Sequence, residues 1–379
     1  MHKFATIYFT LLLIGYSTSV FISSYCSSHI KKIDKSYKCA GGKNNDLLGK
    51  GGNGSAFLVT SLTDNQNYVF KVSEDRSNFL SKADDLHELV KDEPYVAKRY
   101  LRVVEEGIIY EVLELGENGS LLEAVEGNKL GFDEKKIMEI FGKIVEGVIN
   151  IHKRNVVHAD IKLENVVMTK DNEPRIIDFD VSMHKNSRGA AGGSSFYMAP
   201  EVVYKFRNPG TIVFTEKQDA WSLGMLLHLM MFKTIPHYPS GSPIVSGFIL
   251  RPVDIFDKLL AFAQKGELHI PKGTSNEVVT VMSMLLKTKT QERASLTDVK
   301  AKIDEVLKLE KWSPRPAASV LEMHKKGENV SFGSWFDYDT FKSCLGYGAI
   351  GLIVGLVQLA VQKSKKKEEQ DPNVELNEA

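Results

Sequence analysis

Between Lys135 and Lys153 the apolar residues Ile137, Ile140, Phe141, Ile144, Val145, Val148 and Ile151 recur at helical spacing, which predicts a helix with one stripe turned to a core. The pattern upstream is different. Ala56-Phe57-Leu58-Val59 and Tyr68-Val69-Phe70-Lys71 are short β-branched and aromatic runs on either side of a polar stretch near Asp64-Asn65, and they predict a hairpin. Ile108-Ile109-Tyr110-Glu111-Val112-Leu113 predicts another strand. Between these, from about Asn78 to Lys91, Leu80, Leu86, Leu89 and Val90 stand at roughly helical spacing, so one helix is expected.

Both ends are strongly apolar. Phe4 through Ile22 is nearly all apolar, aromatic or hydroxylic behind His2-Lys3, with small residues near Ser17, Ser19 and Ser24, so residues 1–28 have the pattern of a cleaved signal peptide or an uncleaved signal anchor. Cys344 to Val361 lacks a polar face and, at about eighteen residues, reaches the lower bound for a transmembrane helix. Gly351 and Gly355 form a small-xxx-small pair suited to a helix-helix dimer. Lys363, Lys365, Lys366 and Lys367 favour a cytoplasmic tail over 362–379. Trp312-Ser313-Pro314-Arg315-Pro316 punctuates a linker, 309–340. The expected placement is membrane-associated, in the secretory pathway.

Lys+Arg and Asp+Glu balance at 48 each, so nothing implies bulk attraction to nucleic acid. Cys26, Cys39 and Cys344 suggest no disulfide framework.

Candidate chemistry begins at Leu48-Gly49-Lys50-Gly51-Gly52-Asn53-Gly54-Ser55-Ala56, where glycines at G-x-G-x-x-G spacing let backbone approach phosphate oxygens. Strand-like residues follow, not a helix, which excludes a Rossmann dinucleotide turn. Lys71 ends Val69-Phe70-Lys71. Further on stand His158-Ala159-Asp160-Ile161-Lys162-Leu163-Glu164-Asn165, then Asp178-Phe179-Asp180, then Ala199-Pro200-Glu201. Phosphoryl transfer needs one carboxylate to accept the substrate hydroxyl proton, and a second carboxylate plus an amide oxygen to hold magnesium on the ATP phosphates. Asp160, Asp178 and Asn165 are that set.

In order and spacing these blocks resemble the eukaryotic protein kinase superfamily over roughly residues 46–308. Asp219-Ala220-Trp221-Ser222-Leu223-Gly224 resembles its helix-F block, and Arg293 stands where its late arginine pairs with the glutamate after Ala-Pro, here Glu201. The resemblance implies an α+β, bilobal fold: a β-rich N-lobe over 46–113 and a helical C-lobe over 117–308. It implies a Ser/Thr protein kinase using ATP and Mg2+ on protein hydroxyls. The catalytic residues would be Asp160, Lys162 and Asn165, with Lys162 the serine/threonine-type signature and Ser194 in the substrate-docking segment. Asn165 and Asp178 would hold metal. Gly49, Gly51, Gly54, Ala56, Lys71 and Asp178 would contact nucleotide, with Glu114 and Gly116 in the hinge and Leu113 as gatekeeper. Lys71 needs a carboxylate partner, for which Glu88 is the first choice and Glu74, Asp84, Asp85 and Glu93 are rivals.

Two positions depart from the family. Ala159 replaces the arginine that clamps a phosphorylated activation loop, which predicts that such phosphorylation is not the main switch. Asp180 replaces the glycine after Asp178-Phe179, either restricting loop flipping and adding a carboxylate near the metal or facing solvent. These departures leave a nucleotide-binding pseudokinase as the alternative. The pattern resembles divergent secreted or membrane-anchored kinases, yet Asn53-Gly54-Ser55 and Asn118-Gly119-Ser120 are glycosylation sequons beside the phosphate loop and hinge, and Asn329-Val330-Ser331 is a third. A glycan on Asn53 would obstruct nucleotide, so the side of the membrane stays open.

Overall fold

The strand-like runs of the first third pair into one antiparallel sheet. In the computed structural model the residues described are 25–40, 47–50, 54–74, 85–127, 133–208, 210–233 and 274–309, with a few positions between 256 and 270 and Trp312. Strands β1 (Tyr37–Cys39), β2 (Leu47–Lys50), β3 (Gly54–Ser61), β4 (Asn67–Glu74), β5 (Arg99–Glu105) and β6 (Ile108–Leu113) lie in the order β1-β3-β4-β6-β5, with β2 also on β3. The β3/β4 turn places Asn65 at φ +60°, a conformation that asparagine tolerates better than most residues.

One face of the sheet buries Phe57, Val59, Phe70, Val72, Tyr110 and Val112 with Cys26 and Ile30 of a helix over residues 25–33, α1. A disulfide joins Cys26 to Cys39 of β1, correcting the expectation of no disulfide framework. Sequence spacing alone could not place the two thiols together; packing of α1 on the sheet does. A loop closed over this separation of 13 residues restricts the unfolded chain by about 3 kcal/mol in the chain-entropy account. The N-lobe thus reaches back to residue 25, upstream of position 46 and into the last residues of the segment 1–28.

Of the helix expected over 78–91, α2 (Leu86–Val90) is described, and residues 75–84 lie outside the described residues. The second lobe is mainly helical. α3 (Leu121–Glu126) opens with a Ser120/Glu123 capping box, and α4 (Glu134–Lys153) is capped by Asp133 and carries the predicted stripe, fully buried. Short strands follow: β7 (Val156–Val157), β8 (Val166–Met168), β9 (Pro174–Ile176), β10 (Met183–His184) and β11 (Arg188–Ala190). Then come α5 (Pro200–Arg207), β12 (Thr211–Val213), α6 (Glu216–Phe232), α7 (Asn276–Leu285) and α8 (Leu296–Leu307). From Gln218 on, α6 is buried all round, which places it at the centre of the larger core and explains why it has no apolar stripe.

Among the described residues no helix is long and apolar enough to cross a membrane. The segments 4–22 and 344–361, Gly351, Gly355 and the lysine tail lie outside the described residues.

Candidate active site

The catalytic loop hangs between β7 and β8 and is tied to the core from below. Asp219, fully buried on α6, accepts from the backbone N–H of His158 (2.9 Å) and Ala159 (2.9 Å) and bonds His152 Nε2 (2.8 Å). Burial opposes its charge, but these partners prevail and hold its carboxyl below the usual range. The loop needs this brace because Ala159 sits at φ +64°, where a side chain is strained.

Asp160 is the point on which the loop's side chains converge. Its Oδ2 accepts from Lys162 Nζ (2.7 Å) and Asn165 Nδ2 (3.0 Å), and its Oδ1 accepts from the backbone N–H of Ser194 (3.0 Å). Lys162 also donates to Ser194 Oγ (2.9 Å), so the expected docking-segment hydroxyl sits beside Asp160. With Asn165 Nδ2 committed to Asp160, Oδ1 is the atom that residue offers to a hard cation.

Lys71 Nζ donates to Asp178 Oδ1 (2.9 Å) and Asp180 Oδ2 (2.9 Å). Burial works against the lysine's charge, yet Asp178, Asp180 and Glu111 outweigh it and raise its pKa. Between the carboxylates the outcome differs: Asp178 is lowered, where Lys71 overcomes burial, while burial and the neighbouring Asp178 raise Asp180. Asp180 therefore faces Lys71 and not solvent. Phe179 packs against His87 of α2 (ring centroids 4.7 Å) and His158 (4.9 Å), fixing the loop between the lobes.

Glu88 does not meet Lys71. It pairs with Lys91 and with Arg99 Nη2 (2.7 Å), on a side chain that is 52% exposed, because His87 and not Glu88 occupies the inward position of α2. Asp85 is also held by Arg99, at 2.6 and 2.7 Å, and Glu93 by Arg154. Glu74 ends β4, and Asp84 lies outside the described residues. Sequence reasoning missed Arg99 and Glu111, which line a cavity of about 260 Å³ with Lys71, Leu113 and Asp178. The available signal was Glu111 itself, a lone charge in an otherwise apolar strand.

At the nucleotide end, Gly49 pairs with Ala56, and Ala56 stands opposite Lys71. Gly54 is required sterically: a Cβ there would lie 2.3 Å from Val72 O. Gly51 lies outside the described residues. In the hinge, Glu114 N–H donates to Lys98 O (2.9 Å), and its side chain accepts from Lys98 N–H (3.0 Å) and Arg175 Nε (3.1 Å), leaving recognition there to backbone. A Cβ on Gly116 would lie 2.5 Å from Val167 Cβ, so the hinge closes directly on β8. Asn118 Nδ2 is committed to Thr169 O (2.9 Å) and Asn172 Oδ1 (2.9 Å).

The activation segment is held by backbone pairing: β10 on β7 and β11 on β12. Lys185 Nζ adds a bond to Glu216 (2.6 Å). At the end of the segment Arg293 forks onto Glu201, at 2.9 and 3.2 Å, as the pattern predicted.

The donor set fits ATP with Mg2+: a carboxylate and an amide oxygen for the metal, a lysine for phosphates, and backbone without Cβ atoms at Gly49 and Gly54 of β2 and β3. The protein kinase domain family matches residues 43–303, more than half the chain. Relatives include the serine/threonine-protein kinase CLA4 of Candida albicans, 25% identical over 70% of this chain and 28% of its own length. Another is the serine/threonine-protein kinase dst4 of Dictyostelium discoideum, 26% identical over 67% of this chain and 51% of its own. A third, shk2 of Schizosaccharomyces pombe, is 30% identical over 54% and 35%. The chain thus spans about half or less of the length of these relatives. With an α+β architecture of a β-sheet N-lobe and a helical C-lobe around this site, the chain belongs to the protein kinase domain family.

Proposed function

We propose that the chain is an active Ser/Thr protein kinase that transfers the γ-phosphoryl group of ATP, with Mg2+, to hydroxyls of protein substrates. The carrying observation is Asp160, held by Lys162 and Asn165 of its own loop and by the backbone of Ser194 in the docking segment. Bound MgATP supplies the phosphoryl group and neutralises its developing charge. Asp160 orients the substrate hydroxyl and takes its proton, Lys162 carries positive charge beside it, Asp178 and Asn165 would hold the metal, and Lys71 would hold phosphate. Purified full-length chain incubated with labelled ATP and serine, threonine and tyrosine peptides should label the first two. Nucleotide binding without transfer to any of them would establish the pseudokinase alternative.

The segment built on β10 and β11 needs no phosphate to hold it, in keeping with Ala159. Phosphatase treatment should therefore leave the rate within about twofold, since no charge-paired clamp is lost. A loss restored by rephosphorylation at Ser187, Ser194 or Ser195 would overturn this.

We further propose entry into the secretory pathway, a span at 344–361 and the kinase domain on the lumenal side. The Cys26–Cys39 disulfide supports an oxidising compartment. The bonds of the Asn118 amide disfavour a glycan there. In intact vesicles, a tag on the kinase domain should survive protease while a tag on the tail is digested. Digestion of both would place the domain in the cytosol.

A further inference from the structure

Lys71, Glu111 and Arg102 stand side by side on β4, β6 and β5, with Glu111 directly opposite both cations. Opposed residues in an antiparallel sheet share a face, with Cβ atoms about 4.5–5.5 Å apart. Alternation along β6 sends Tyr110 and Val112 to the α1 side, while Ile109, Glu111 and Leu113 line the cavity with Lys71. Glu111 is 8% exposed, a costly place for a carboxylate without partners. Arg99 Nη1 donates to its Oε1 (3.2 Å), and Arg99 is itself fixed by Asp85 and Glu88.

We propose that Glu111 is the positioning residue for Lys71, in the place where the family uses a helix acid. The proposal rests on the kinase reading. In this structure Lys71 bonds Asp178 and Asp180, both on the loop that would meet the metal, so a carboxylate on the sheet gives the lysine a partner independent of that loop. Glu88 is turned to Arg99 and Lys91. Glu111 is fixed on the sheet: Arg99 holds Oε1, and Oε2 is the oxygen this proposal assigns to Lys71. Alignment of Lys71 is then built into β4 and β6 and does not depend on a swing of α2, which matches a segment that needs no phosphate clamp.

The test is a double-mutant cycle on the full-length chain, read as MgATP affinity by calorimetry and as KM and kcat. Glu111→Gln should weaken MgATP binding about tenfold or more, as expected for losing a charge-assisted bond. In a Lys71→Met background the same change should alter affinity less than about twofold, because the partner is already gone. Glu111→Asp, which keeps the charge, should recover part of the loss and covers the case in which the glutamine variant folds poorly. Equal losses in both backgrounds would assign Glu111 a purely structural role, and a loss in Glu88→Gln as large as in Glu111→Gln would return the pairing to α2; either overturns the proposal. Failure of the wild type to transfer phosphate would overturn the kinase reading alone, since the affinity cycle still reports on Glu111.

Discussion

Asp160→Asn is expected to lower phosphotransfer by about 10²–10⁴-fold, the range a general base contributes, while MgATP affinity stays within about twofold. The separation of the two readouts follows from the geometry. Asp160 bonds Lys162, Asn165 and the Ser194 backbone, of which only Asn165 is also assigned to the metal, whereas Lys71 and Asp178 bond each other. Asparagine keeps the shape but loses the basic oxygen, and its amide nitrogen must face a donor at either Lys162 or Ser194. Labelled-ATP transfer and calorimetric affinity, with a melting curve for each protein, decide the matter. Equal transfer by mutant and wild type would remove Asp160 from the chemistry.

The catalytic loop was legible in the sequence because proton transfer and metal binding demand particular residue types at fixed separations along one short loop. Asp160, Lys162 and Asn165 meet within that loop, and Ser194 joins them from a separate segment of the chain. Lys71 was legible for a related reason: the hairpin that places it is local, with Ala56 opposite across seven matched positions of β3 and β4. Its partner was not legible. A helix acid can be guessed from distance along the chain, but the carboxylates that bond Lys71, Asp178 and Asp180, come from a loop more than 100 positions away, and Glu111 stands opposite it only through strand register. Linear spacing ranked Glu88 first, while the fold turned His87 inward and left Glu88 half exposed.

A similar limit applied at the N-terminus. Cys26 and Cys39 are separated by 13 positions, and only the docking of α1 on Phe57, Phe70 and Tyr110 gives their pairing meaning. Helix α6 was identified from its Asp219-to-Gly224 block, since a helix buried on every side has no stripe to find. The chemistry-bearing loops were therefore clearer in sequence than the packing that supports them.

Arg293→Ala is expected to destabilise the C-lobe by about 3–5 kcal/mol, the cost of breaking a buried ion pair from one side. The Arg293 side chain is fully buried and its guanidinium lies over the Trp221 ring at 5.1 Å. Besides the fork onto Glu201 it donates to Lys287 O from Nε (3.1 Å) and Nη2 (3.0 Å), and Nη1 also donates to Lys217 O. Truncation strands these acceptors together and opens a cavity beside Trp221. Glu201→Ala leaves the carbonyl bonds in place, and Glu201 is 29% exposed, so its loss should be the smaller of the two. Thermal unfolding of the full-length proteins should show a drop of roughly 10 °C for Arg293→Ala, at about 2–4 °C per kcal/mol for a lobe of this size. Glu201 opens α5 directly after the docking segment, so Gly193 to Tyr197 should loosen in both variants and transfer should fall with Lys71 and Asp160 untouched. A shift below about 2 °C for Arg293→Ala would mean that the fork contributes little and that the packing of Trp221 alone anchors the segment.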